Sequence, residues 1–236
     1  MNIVWSCPRR DQLDAKLLFK KEYQDMVAVN KDFYDLIQEK SGWNVTDAVN
    51  MFGLGNVLYI EKLYNMTLPS WVTDDVYNKI RAIGESGWDY AFGGAAYGMP
   101  EDVEMVKLYN GMLTTHIIEN MKKMIGGKSK VLYHGFSGHD NTIAGFLRTL
   151  GAKDAVVGHE TADYASTVVL ELWKKKDGKH FVRVRWSANA ETPFVSITDK
   201  VAGCPEKEYC PLDTFIQHRE KYLVHDIAKA CEVQPE

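Results

Sequence analysis

The sequence predicts an α/β protein in two parts, a mainly helical cap region over residues 1–129 and part of a sheet domain over residues 130–236. Three observations predict it. Apolar residues recur at helical spacing before Lys130, the stretch from Lys130 to Leu150 reads as strand, turn and helix, and Thr167 to Trp186 reads as a hairpin.

Asp11 to Lys40 predicts a helix in two pieces, with Met26, Val29, Phe33, Leu36 and Ile37 on one face and Ser41-Gly42 as the stop. A further helical stretch opens at Thr46, carries Val49 and Phe52, and is loosened by Gly53 and Gly55 before it ends near Tyr64. Pro69-Ser70-Trp71 breaks the chain. Thr73 then caps a helix whose first turn holds Asp74 and Asp75 against the dipole and whose buried face is Val76, Ile80 and Ile83. Glycines 84, 87, 93, 94 and 98 fall in no phosphate-loop pattern, so Gly84 to Gly98 predicts a flexible connector or rim. From near Pro100, the apolar positions Val106, Leu113, Ile117, Met121 and Met124 mark a long helix closed by Gly126-Gly127. His116 lies near that apolar face and reads as a helix histidine rather than a ligand.

Val131, Leu132 and Tyr133 form the apolar run of a buried parallel strand, and Ile143, Phe146, Leu147 and Leu150 recur at helical spacing until Gly151. Between them lies the turn Gly135-Phe136-Ser137-Gly138. Ligands of open α/β sheets collect beyond the carboxyl ends of strands, and free amides at a helix start favour an anion. His139 and Asp140 occupy that position. A serine nucleophile elbow fails because His139 stands where G-x-S-x-G needs its last glycine. His134, His139, Asp140 and His159 match no zinc spacing, so neither a metal nor a cofactor is expected.

The hairpin joins Thr167–Trp173 to His180–Trp186 through Asp177-Gly178, with Arg183 and Arg185 on a polar face, solvated or salt-bridged. Pro211 to Lys229 predicts one or two closing helices. One buried strand and one hairpin give Val131–Tyr133 too few neighbours. The sheet is therefore incomplete as written, and a βα portion outside these residues would complete it.

Composition excludes more than it identifies. A net charge of -4 offers no field for nucleic acid, and no apolar run approaches the roughly 20 residues that a membrane helix needs. The start MNIVWSCPRR lacks a signal-peptide core.

The segment FSGHDNTIAGFLRTLGA resembles the SxHDTT-type segment of the histidine acid phosphatases, the family of prostatic and lysosomal acid phosphatase. Collinear with it run CPR at Cys7–Arg9, YNMTLPSW at Tyr64–Trp71, YAS at Tyr164–Ser166, and the late cysteines in GCPEKEYCPL and KAC. The resemblance implies a phosphomonoester substrate, His139 in the phosphate pocket and Asp140 as proton donor to the leaving alkoxide. A carboxylate at a helix start is stabilised ionised while a neighbouring dianionic phosphate opposes ionisation, so a proton donor there implies an acid optimum. It also implies an amino-terminal RHGxRxP motif whose His is phosphorylated, yet the chain contains no Arg-His dipeptide. The expectation is a carboxy-terminal portion without its nucleophile, or a non-catalytic member that binds an anion or a protein partner.

Through the same resemblance, Cys7 pairs with Cys231 and Cys204 with Cys210, while a third pair of the family is missing at both positions, near Ile60 and at Thr167. Sequons at Asn44-Val45-Thr46 and Asn65-Met66-Thr67 are candidate glycosylation sites. With the cysteines they point to an oxidising compartment, secreted or lysosomal, and the resemblance makes a homodimer the candidate assembly.

Overall fold

In the computed structural model, which describes residues 6–204 and 208–233, the chain forms two compact units, Asp11–Asp102 and Met1–Arg10 with Val103–Glu236. They part at Asp102, not at residue 129, because the long helix expected to belong with the cap buries Ile118 and Met121 in one core with Phe146, Leu147, Val182 and Val184.

The first unit is helical: α1 (Pro8–Leu17, from Asp11 onward), α2 (Lys21–Val29), α3 (Lys31–Ser41), α4 (Ala48–Leu63) and α5 (Asp74–Ala91). Three helices replace the two pieces read between Asp11 and Lys40. The third ends at Gly42 in the left-handed conformation, φ 72°, which glycine adopts without steric cost. Two residues of the expected apolar face are corrected: Val29 is 85% and Leu36 40% exposed, and the buried positions are Leu17, Tyr23, Tyr34 and Ile37. Thr73 caps α5 as expected, its Oγ1 accepting from the Val76 amide at 3.3 Å.

Of the five glycines read as a flexible connector or rim, Gly84 and Gly87 instead continue α5. A Cβ at Gly84 would lie 2.7 Å from the Phe52 Cα, and one at Gly87 would lie 2.4 Å from the Ala48 Cβ. Close approach to α4 is the reason for those glycines, and only the chain after Ala91 is irregular.

The second unit contains α6 (Val103–Ile125), α7 (Asp140–Thr149), α8 (Lys153–Val156), β1 (Thr167–Lys174), β2 (His180–Ser187), β3 (Val195–Ser196), β4 (Cys210–Pro211), α9 (Leu212–Gln217) and α10 (Ile227–Ala230). The sheet runs β1-β2-β3 with β4 also on β2, every pairing antiparallel. Leu170 faces Val184 and Leu172 faces Val182 across the hairpin, and the chain turns through Gly178 at φ 84°. Val182, Val184 and Trp186 are buried beneath α6 and α7, as period-2 alternation requires.

The expected parallel strand at Val131–Tyr133 does not form. These residues lie outside every strand and helix, 52%, 92% and 83% exposed respectively. A strand exists only through its ladder, and none of the described strands pairs with this run.

Both expected disulfides are present. Cys7–Cys231 and Cys204–Cys210 have Cα separations of 4.7 and 5.0 Å, within the range of unstrained bridges. The first joins positions 224 residues apart and is reinforced by the Arg9 amide on the Cys231 carbonyl at 3.1 Å. Beside it Arg9 forms a two-pronged ion pair with Glu104, both contacts 2.7 Å. That pairing holds the Glu104 carboxyl below the usual carboxylate range, chiefly through the hydrogen bond.

Candidate functional site

His139 and Asp140 come together at the start of α7. His139 is the N-cap, in extended conformation at φ -109° and ψ 174°, and Asp140 is the first helical residue. The His139 amide donates to Thr142 Oγ1 at 3.2 Å, and the His139 carbonyl accepts from the Ile143 amide at 3.1 Å. Asp140 Oδ1 accepts from the Asn141 amide at 2.7 Å. These bonds use main-chain atoms of His139 and one carboxylate oxygen of Asp140. Both residues are exposed to solvent. Gly138 makes the tight entry feasible, because a Cβ there would meet Thr142 at 2.9 Å.

The helix that presents the pair is fixed on its other side. Phe146, Leu147 and Leu150 enter the core, and Thr149 Oγ1 meets Thr114 Oγ1 of α6 at 2.7 Å in a buried contact. One turn earlier, the Asn110 amide of α6 fills the space a side chain at Gly145 would need, 2.0 Å from its would-be Cβ. Sequence reasoning missed Asn110 and Thr114. Their only signal was an i, i+4 pair of polar residues, which the structure places on the buried face of α6.

The turn before the site follows α6 rather than a sheet. Phe136 meets His116 edge-on, ring centroids 5.8 Å apart, and His134 Nδ1 lies 3.4 Å from Asn120 Nδ2. His116 is an exposed residue of α6, and its ring meets this turn. Arg183 and Arg185 are occupied on the sheet, by Glu208 at 3.3 Å and by Glu171 at 3.6 Å. Among the described residues, no three His, Cys, Asp or Glu side chains converge as a metal site needs. No helix of the described residues is long and apolar enough to cross a membrane.

Free amides at a helix N-terminus favour an anion, and His139 and Asp140 stand side by side at that of α7. Comparison with known proteins makes the class definite. Residues 9–187 match the histidine phosphatase superfamily, branch 2, and the chain belongs to that family. It is 26% identical over 230 residues to prostatic acid phosphatase of Bos taurus, covering 97% of this chain and 56% of the bovine protein. It is 28% identical over 229 residues to the Mus musculus protein of the same name, covering 95% and 56%. With lysosomal acid phosphatase of Xenopus laevis the identity is 27% over 229 residues, covering 96% and 50%. The chain spans about half the length of the curated relatives it matches.

Proposed function

We propose that this chain carries the proton-donating half of a histidine acid phosphatase, with Asp140 as general acid and His139 as a wall of the phosphate pocket. The observation that carries the reading is the placement of both residues, adjacent and exposed, at the start of a helix whose opposite end is buried. The phosphorylated histidine and its arginine clamp belong, in this reading, to polypeptide beyond these 236 residues, since no Arg-His dipeptide occurs among them. The same polypeptide would supply strand partners to Val131–Tyr133.

A general acid protonates the leaving alkoxide only as a nucleophile displaces it, and nucleophile and charge clamp together carry most of the rate in phosphoryl transfer. The 236-residue chain is therefore expected to show no phosphomonoester turnover alone, and the longer polypeptide to be an acid-active phosphatase. Its substrate class is phosphomonoesters, its compartment secreted or lysosomal, and a homodimer is its candidate assembly. Two disulfides support the oxidising compartment. The exposed Asn44 and Asn65 are its glycan acceptors.

The test is hydrolysis of an aryl phosphate at acid pH by both forms, beside His139→Ala and Asp140→Asn. Turnover in the longer form should fall by about 100-fold or more in Asp140→Asn, the usual scale of a lost general acid. Turnover by the short chain that vanishes in those variants would refute the division of labour. Absence of turnover in the longer form, with phosphate still bound, would favour the non-catalytic anion-binding member.

A further inference from the structure

Arg219 is fully buried, at 0% exposure, one of the few charged side chains enclosed in this unit. Among the described residues its guanidinium donates only to main-chain carbonyls: Phe215 at 2.5 Å, Leu150 at 3.0 Å and Ala202 at 2.6 Å. Among the described residues no carboxylate is bonded to it, and its Nε has no acceptor. Burial lowers it to about 10, so it stays a cation at neutral and acid pH. An enclosed charge without an anion is costly unless something else compensates it. Here the compensation is geometric. Leu150 closes α7 and Phe215 lies near the end of α9, where carbonyls left free by the helix carry partial negative charge.

The consequence runs along α7. Its first turn is lightly packed, with His139 and Asp140 exposed and residues 141–143 half-buried, whereas every residue from Ala144 to Leu150 is buried. A ten-residue helix is a rod about 15 Å long, so its first turn is aimed by whatever fixes its last. The Leu150 carbonyl is that fixed point, shared by Arg219 and by the Ala202 amide at 3.0 Å.

We infer that Arg219 is a positioning residue: by clamping the carboxyl end of α7 it aims the first turn that carries His139 and Asp140. Its bearing on phosphate rests on the function proposed above. Two readouts on the full chain separate the two claims. Amide exchange is followed in the first turn of α7 and in the β1–β2 hairpin, and the His139 ring is titrated by NMR with and without inorganic phosphate.

In Arg219→Met, exchange at residues 141–143 should rise about tenfold or more while hairpin amides change less than about twofold. Arg219→Lys, which keeps the charge and loses the fork, should restore part of that protection. It also decides the question if the Met variant does not fold. The phosphate response of His139 should weaken at least threefold in Arg219→Met. Exchange that rises equally in α7 and the hairpin, or in neither, would overturn the inference, as would an unchanged phosphate response with α7 loosened. If the unaltered chain shows no phosphate response while α7 alone loosens in the variant, the positioning stands and only its bearing on phosphate falls.

Discussion

Two runs of this chain carry the same local signal and meet different fates. Val131-Leu132-Tyr133 and Val182–Trp186 are both rich in β-branched and aromatic residues, yet the second is the centre of a sheet and the first is exposed coil. The difference is the address of the partner. β2 finds β1 across the five residues of its own hairpin loop, so pairing needs only a short closure. The earlier run must draw its ladder from distant chain, and none of the described strands supplies it. Strand propensity measures fitness for a pleated, half-buried surface and cannot create that surface.

The contrast between near and distant closure can be pressed hardest at the disulfides. In the simple loop-entropy account, opening Cys7–Cys231 costs up to about 5 kcal/mol, and opening Cys204–Cys210 about 2 kcal/mol. Urea unfolding of Cys7→Ser/Cys231→Ser and Cys204→Ser/Cys210→Ser should therefore rank in that order, and equal losses would show that native-state strain, not chain closure, governs. The two strand-like runs differ by nearly as much. Trp186→Ala, at a site 7% exposed, should cost about 3–5 kcal/mol. Leu132→Ala, at 92% exposed, should stay within about 0.5 kcal/mol in this chain. A large loss at Leu132 would mean that the run has a partner after all.

The smallest effect lies at the other long-range tie. Glu104 is held below its ordinary value by Arg9, so the pair stabilises the fold above the unfolded carboxylate range and is lost as pH falls through the folded value. With Glu104 44% exposed, solvent screening limits the pair to about 1 kcal/mol or less. Thermal midpoints of the native chain and Arg9→Ala should differ at pH 7 and converge once pH falls below the lowered folded value of Glu104. A gap that persists in acid would point to packing of the Arg9 stem instead.

The site was legible to different depths. His139 and Asp140 could be found because a strand-like run, a glycine turn and a helix pattern succeed one another within one short stretch, and the helix start lies where that pattern puts it. The strand expected before it does not form, because none of the described strands pairs with that run. The supports of the helix were illegible. Asn110, Thr114 and Arg219 act on α7 from other elements, and no local pattern ties residue 110 to residue 145 or residue 219 to residue 150. Gly84 and Gly87 show the same limit, since a glycine that admits a neighbouring helix looks, in sequence, like one that breaks its own.

The sequence alone determined what depends on neighbours a few residues away: stops of helices, the hairpin, and the His139-Asp140 junction. Its resemblance to a known family added the two cysteine pairings. Tertiary structure alone decided which glycines serve packing, that α6 joins the sheet unit, that Val131–Tyr133 stays unpaired, and that a buried cation anchors the helix bearing the candidate site. The physical reason is that short-range backbone preferences are written in each segment, whereas burial and pairing are properties of two surfaces and appear only when both are present.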